Sequence, residues 1–215
     1  MKTKILIMIL AIVFWMGFNH VMATPITIQI SGKVTSVAGT GRESVPDTIY
    51  IGVGFTGTYT YDSDTLDSDP SDHNGIYQHN SPYGISIELG GYEFKTAPNH
   101  TDGFEMQISN DSSNDIPRDY YTVFSNENIS TLPDGFSIWY ISWGLNDSTH
   151  NPFSSDILPI TVPVLTDWDY NRLEITGVDS LERGIVISGT VTKVTPEPLT
   201  GILMAMGLLF MRRKQ

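Results

Sequence analysis

Two segments of the chain read almost alike: Ile28-Gln-Ile-Ser-Gly-Lys-Val-Thr-Ser-Val37 and Ile185-Val-Ile-Ser-Gly-Thr-Val-Thr-Lys-Val194. Seven of the ten positions are identical. The first segment alternates isoleucine with polar residues, the period-two pattern of a half-buried strand, and Gly32 is typical of a bulge or bend. We predict that the two segments are neighbouring strands of one sheet, so that the ends of the domain meet. The alternative is that Ile, Val, Thr and Gly are simply the residues that such strands use.

The sequence between these segments also follows strand patterns. The clearest is a hairpin in which Gly84–Leu89 and Tyr92–Thr96 flank the two-residue loop Gly90-Gly91. Residues 151–169 contain three prolines and are predicted to be a long connection with at most one turn of helix. Further strands are predicted at residues 24–37, 49–62, 104–109, 120–125, 136–145, 170–176 and 183–194. The chain is therefore predicted to be all-β, an antiparallel β-sandwich or open barrel of about 9–11 strands.

The N-terminus has the three parts of a secretory signal peptide. Lys2 and Lys4 precede an apolar run over residues 5–18, and Val21-Met-Ala23 follows with small residues at its outer positions. We predict that signal peptidase removes residues 1–23 and that the mature chain begins at Thr24. An uncleaved membrane anchor is the alternative.

The C-terminus contains Pro196-Glu-Pro198, an apolar run over residues 199–211, and then Arg212-Arg-Lys214. Lys and Arg prefer the cytoplasmic side of a membrane, so this tail is expected to keep its C-terminus inside. Thirteen apolar residues span about 20 Å of helix, short of the roughly 30 Å hydrocarbon core. The tail is therefore predicted to be a transient apolar helix in the membrane, and the alternative is a helix packed on the body.

The order of these C-terminal parts resembles the PEP-CTERM sorting signal of bacterial exported proteins, over about a tenth of the chain. The resemblance implies that an exosortase-type enzyme recognises Pro196, Glu197 and Pro198 and that Arg212, Arg213 and Lys214 are the basic cluster. It implies three regions: a signal peptide at 1–23, a β body at 24–195 and a sorting signal at 196–215. It also implies transient inner-membrane anchoring, then a place at the cell surface or in an extracellular, biofilm-type matrix.

The composition of the predicted body limits its partners. It has no cysteine, so no disulfide framework holds it together. Residues 24–195 contain 7 Lys and Arg against 23 Asp and Glu, a net charge of −16. Such a charge repels nucleic-acid phosphates and anionic lipid, and it leaves cations or neutral glycans, including an exopolysaccharide, as partners.

Aromatic residues suggest one candidate site. Trp139 and Trp143 lie on the same face of the strand predicted at 136–145, and aromatic rings in line can stack on sugar rings. Trp168 and Tyr170 form a second candidate patch. The alternative is a central strand that is apolar on both faces because it is buried between two layers.

An acidic segment suggests a second site. Asp62, Asp64, Asp67 and Asp69 alternate with other residues, and Ca²⁺ prefers such oxygen ligands. The spacing does not fit an EF-hand, which needs glycine at position six and glutamate at position twelve. A solvated turn rich in Asp, Ser and Pro explains the same run without an ion.

No catalytic motif is found in the sequence. A thiol nucleophile is excluded, and Gly-x-Ser-x-Gly, His-Glu-x-x-His and the phosphate-binding loop Gly-x-x-x-x-Gly-Lys-Ser/Thr are absent. The histidines His73, His79, His100 and His150 are scattered through predicted loops and are expected to be exposed. The functional classes left open are a structural matrix protein, a carbohydrate-binding module and, with least support, a glycoside hydrolase.

Overall fold

The computed structural model describes residues 25–69, 71–110, 118–133, 135–149 and 152–197. The predicted signal peptide and apolar tail lie outside these residues. The described part is all-β, as predicted, with two short 3₁₀ turns at Arg42–Ser44 and Leu165–Asp167. Its strands are β1 (Pro25–Ala38), β2 (Gly54–Asp62), β3 (Asn74–His79), β4 (Gly84–Leu89), β5 (Tyr92–Thr96), β6 (Phe104–Ser109), β7 (Asp119–Ser125), β8 (Asn128–Ser130), β9 (Ser137–Asp147), β10 (Tyr170–Val178) and β11 (Gly184–Pro196).

The eleven described strands form one antiparallel sheet in the order β3-β6-β7-β9-β10-β11-β1-β2-β4-β5-β8. The sheet curls into a half-barrel, so that the strands of its two halves pack across a shared core. β3 and β8 are the edge strands. The predicted hairpin is confirmed at the bounds expected from its Gly90-Gly91 loop, where both glycines have positive φ angles of 61° and 86°.

The two similar segments are neighbours in the centre of the sheet, which confirms the predicted pairing. β1 and β11 run antiparallel, and the register shifts after Ser31, beside the predicted bulge at Gly32. The glycine that both segments have at the same position, Gly32 in β1 and Gly189 in β11, leaves space for the ring of Phe55. A Cβ atom on Gly32 would lie 2.5 Å from Cζ of Phe55, and one on Gly189 would lie 2.7 Å from Cε1 of the same ring. The glycines of both segments therefore allow Phe55 to pack on the central strand pair.

Aromatic side chains from both halves of the sheet meet in the core. Tyr59, Tyr121 and Trp143 are fully buried, and the Trp143 ring lies 5.8 Å from each tyrosine ring. The hydroxyls of Tyr59 and Tyr121 share a hydrogen bond of 2.7 Å. Burial raises the pKa of both hydroxyls well above 10, so both stay neutral and either one can donate. This pair joins β2 to β7 across the half-barrel.

The buried hydroxyl pair gives a stability prediction. We expect Tyr59→Phe to lower the free energy of unfolding by about 1–3 kcal/mol, because it leaves the Tyr121 hydroxyl buried without its hydrogen-bond partner. Adding Tyr121→Phe should recover most of this loss, since no orphaned hydroxyl then remains. Urea unfolding of the wild type, both single variants and the double variant measures the coupling. A double variant whose loss equals the sum of the single losses would contradict the pairing.

The long connection between β9 and β10 covers one end of the core. Leu158 is buried, and the backbone carbonyls of Pro159 and Asp156 accept hydrogen bonds from Tyr61 and Tyr77. Its only described helical element is the 3₁₀ turn Leu165–Asp167, as predicted for this proline-rich segment. The connection is therefore part of the folded body.

Two sequence-based expectations about local structure were wrong. Residues 49–53 form a turn, with Ile51 exposed, and the strand begins only at Gly54. β3 and β8 were not predicted; β3 contains Asn, Gly, Gln and His, residues that favour strands weakly. β3 forms because its backbone pairs with the whole of β6.

The expectation that the histidines are exposed was also wrong for two of them. His79 and His100 are buried, whereas His73 is exposed and His150 lies outside the described residues. The ring nitrogens of His79 lie 2.9 Å from the carbonyl oxygen of Tyr77 and 3.3 Å from that of Asp62. Burial lowers the pKa of His79. The neutral ring has one N–H, which can donate to one of these two carbonyls, a contact that spacing in the sequence does not reveal.

Candidate functional site

The four aromatic residues proposed to stack on sugars do not share one surface. Trp143 is fully buried and donates a hydrogen bond of 3.0 Å from Nε1 to Oδ1 of Asn171. Trp168 is also buried and packs on the ring of Phe153 at 5.3 Å. Trp139 and Tyr170 are about half exposed. These two lie roughly 20 Å apart along β9 and β10, so the predicted patches are not formed as sets, and a glycan contact by either residue stays a prediction.

A bulge explains why Trp139 and Trp143 differ in exposure although they have the same parity. Side chains of β9 alternate from Ile141 to Asp147, and Trp143 faces the core. The β9–β10 register shifts between Thr176 and Gly177, and this shift leaves Trp139 with no residue opposite it in β10. On the other side of this shift Phe136 and Ile138 pack against the core, so Trp139 has the opposite parity and its ring is exposed.

The acidic segment forms turns. Oδ1 of Asp62 accepts a hydrogen bond from the amide of Asp64, Oδ1 of Asp67 accepts from Asp69, and Oδ1 of Asp69 accepts from Ser71, each at 2.9 Å. In the described part of the chain no three His, Asp or Glu side chains come close enough to hold a metal ion. The four residues predicted as Ca²⁺ ligands, Asp62, Asp64, Asp67 and Asp69, are therefore not gathered into such a group in the described structure, and three of them accept hydrogen bonds from backbone amides.

The predicted sorting motif begins inside the sheet. Pro196 is the last residue of β11 and lies opposite Ile28, and the amide of Glu197 donates a hydrogen bond of 3.0 Å to the carbonyl of Thr27. Backbone pairing with β1 therefore continues at least to Glu197. Pro198, Arg212, Arg213 and Lys214 lie outside the described residues. Within residues 25–197, apart from the gaps given above, no helix is long and apolar enough to cross a membrane.

The outer face of the sheet has a polar depression of about 470 Å³ across β11, β1, β2 and β4. It follows directly from the alternation in β1, which places the isoleucines in the core and Gln29 and Ser31 outside. Lys193 and Glu88 contribute opposite charges. The remaining polar lining residues are Thr56, Thr58, Ser86 and Thr195. This surface offers hydrogen-bonding groups but no aromatic ring.

The other half of the outer face combines aromatic rings with small residues. Tyr120, Thr122 and Phe124 point outward from β7, because Tyr121, Val123 and Ser125 between and after them are buried. Strand pairing puts three rows of side chains side by side: Tyr120-Asn146-Tyr170, Thr122-Gly144-Arg172 and Phe124-Ser142-Glu174. We call these three rows of outward residues the outer trough, and for reference we call the middle row its floor and the two flanking rows its walls.

The floor of the outer trough is open. A Cβ atom on Gly144 would meet no other atom within 4 Å. Beyond Thr122 the floor continues into a depression of about 390 Å³ between β3, β6 and β7, which Ile76 and Gln107 also line. The trough therefore crosses several strands and reaches the edge of the sheet at β3.

A connected set of rings and charges lies at one side of the outer trough and includes Tyr140, which neighbours the row of Phe124 and Glu174. The rings of Phe124 and Tyr140 lie 6.0 Å apart at 30°. The Tyr140 hydroxyl donates a hydrogen bond of 2.6 Å to Glu174, and this bond is the main cause of the raised pKa of Tyr140. Nη2 of Arg172 lies 2.7 Å from Oε2 of Glu174 and donates to Oγ of Ser188 at 2.8 Å. These contacts hold aromatic and polar groups in fixed positions.

Sequence reasoning assigned only Tyr170 among the residues of this trough. The alternation of Tyr120, Thr122 and Phe124 was the available signal, but parity alone does not tell which face of β7 is outside. No protein-family model matches the chain, and neither the curated proteins nor the solved structures contain a match to it. The candidate sites therefore rest on the residues of this chain.

Proposed function

We propose that the protein is an exported bacterial envelope protein that an exosortase-type enzyme sorts through residues 196–215. After signal peptidase removes residues 1–23, the apolar run at 199–211 holds the body at the inner membrane until sorting places it at the cell surface or in the extracellular matrix. There it has a structural or interaction role. The observation that carries this proposal is the order Pro196-Glu-Pro198, apolar run, Arg212-Arg-Lys214 at the end of the chain.

The position of the described termini supports this proposal. Pro25 begins β1, and the amide of Glu197 is bonded to Thr27 in the same strand. The residues that follow the predicted signal-peptidase site therefore lie beside the start of the sorting motif. Before signal peptidase acts, both apolar ends of the precursor are therefore attached at the same end of the sheet.

The chemistry of the body agrees with this role. It has no thiol to protect or oxidise during export, and its net charge of −16 favours solubility outside the cell. Its stability comes from the aromatic core and from continuous strand pairing.

Replacing Pro196, Glu197 and Pro198 together with alanine tests the sorting function. We expect the variant to accumulate as an unprocessed, membrane-associated form, because the recognition element is removed while the apolar run remains. Immunoblotting of inner-membrane, surface and medium fractions measures its size and location. Pro25→Ala is a matched control, since it changes a proline at the same end of the sheet but outside the motif. Unchanged size and location of the triple variant would refute the sorting function.

A secreted carbohydrate-binding module is the second candidate function. The observation that favours it is the outer trough, where aromatic rings and paired charges line an open floor. The two functions are compatible, because an envelope protein can be sorted by its tail and bind matrix polysaccharide through its body.

A further inference from the structure

We propose that the outer trough binds an uncharged polysaccharide, one extended chain lying across β6, β7, β9 and β10. The inference deepens the carbohydrate-binding function and does not depend on the sorting signal. Its starting point is the register of four neighbouring strands, which places Gln107, Thr122, Gly144 and Arg172 in one continuous row.

Aromatic rings stand on both sides of this row. Tyr120 and Tyr170 belong to the row on one side, and Phe124 and Tyr140 lie on the other side. The two walls are separated by four residues along a strand, roughly 13 Å. The apolar C–H faces of pyranose rings pack on aromatic side chains. The walls therefore suit a sugar chain lying along the floor.

Paired charges provide hydrogen bonds at one end of the row. Arg172 can donate hydrogen bonds and Glu174 can accept them. Nη2 of Arg172 lies 2.7 Å from Oε2 of Glu174, and Oε1 of Glu174 accepts a hydrogen bond from the Tyr140 hydroxyl. A donor and an acceptor side by side match neighbouring hydroxyl groups of a sugar. Thr122 and Ser142 add hydroxyls nearby on the same face. The charges compensate each other, so this end recognises polar groups without requiring a charged ligand.

The length of the row favours a polysaccharide chain over a single sugar. Four strands spaced by about 4.8 Å give a row roughly 14 Å long between the outermost backbones. The floor is low at Gly144, where no side chain rises from the backbone, and it continues through the depression beside Gln107 towards the sheet edge. A polysaccharide chain can therefore extend beyond these four strands towards the edge of the sheet.

The charge of the body selects an uncharged polymer. Residues 24–195 have a net charge of −16. At low ionic strength this charge repels uronic acids and sulfated or phosphorylated glycans. Within the described residues of the trough, Arg172 is already paired with Glu174. This pairing reduces the positive charge that an anionic polysaccharide would meet there.

Native affinity electrophoresis tests the proposal with four soluble neutral polysaccharides: xyloglucan, galactomannan, mixed-linkage β-glucan and dextran. Alginate serves as the anionic comparison. We expect at least one neutral polymer to retard the wild-type protein and alginate not to retard it. Gly144→Trp should weaken the retardation at least tenfold because its side chain fills the floor, and Phe124→Ala should weaken it because a wall ring is lost.

One control separates this site from the rest of the outer face. Thr58→Trp adds the same ring to the polar depression on the other half of the sheet and should bind like the wild type. Glu174→Gln keeps the side-chain volume and should also weaken binding, so the test does not rely on a variant that fails to fold. The proposal is overturned if no neutral polymer retards the wild type, if alginate binds more tightly, or if Gly144→Trp binds normally. The sorting function is tested separately, by fractionation of the variant with alanine at residues 196–198. A negative result in the electrophoresis would therefore contradict the polysaccharide site and not the sorting function.

Discussion

Replacing Trp143 with alanine is expected to lower the free energy of unfolding by about 3–5 kcal/mol. The side chain is fully buried, and its ring touches Tyr59 from one half of the sheet and Tyr121 from the other. Alanine would leave a cavity between the two halves, which the curled sheet can close only in part. It would also remove the hydrogen bond to Asn171.

The matched control for this prediction is Trp139→Ala in the same strand. Because Trp139 is 54% exposed, we expect a change of about 0.5 kcal/mol or less. Urea unfolding followed by far-ultraviolet circular dichroism measures both variants, since each loses a tryptophan and tryptophan fluorescence would be altered. Equal losses for the two variants would contradict the placement of Trp143 in the core.

Replacing Gly32 with alanine is expected to lower the free energy of unfolding by about 3 kcal/mol. The added Cβ would lie 2.0 Å from the carbonyl oxygen of Thr190 and 2.5 Å from Cζ of Phe55. The oxygen belongs to the backbone of β11, so rotating a side chain cannot relieve that contact. The central strand pair would have to separate locally, and Phe55 would lose its position on both glycines.

Gly184→Ala is the control for Gly32→Ala. A Cβ atom at Gly184, in the adjacent strand β11, would meet nothing within 4 Å. We expect this variant to be neutral or more stable by up to about 1 kcal/mol, because alanine has fewer unfolded conformations than glycine. Thermal and urea unfolding of the two variants give the comparison. A Gly32→Ala variant as stable as Gly184→Ala would refute the close packing of β1 on β11.

Most strands could be predicted from the sequence, because a strand has a local signal. Period-two alternation, β-branched residues and glycine loops identified the hairpin of β4 and β5 and the bounds of β6. The similarity of the two central segments also predicted that β1 and β11 are neighbours. β3 and β8 lacked this signal, since an edge strand depends on its partner's backbone more than on its own side chains.

The candidate site could be predicted only in part. The sequence indicated two aromatic patches, Trp139 with Trp143 and Trp168 with Tyr170, but Trp143 and Trp168 are core residues. Three of the four Asp residues that suggested Ca²⁺ ligands, Asp62, Asp67 and Asp69, accept hydrogen bonds from backbone amides. In both cases the residue type indicated which interactions the side chain can make. It did not indicate which neighbouring groups the side chain contacts in the folded chain.

The sequence by itself determined the all-β class, the central pairing of β1 with β11, the proline-rich connection and the expectation of an exported chain with two apolar ends. Only the tertiary structure decided which face of each strand is outside, and hence that Tyr120, Phe124, Tyr140 and Tyr170 surround an open floor. The physical reason is that alternation is a property of one strand, whereas exposure depends on how the whole sheet curls and where a bulge shifts its register.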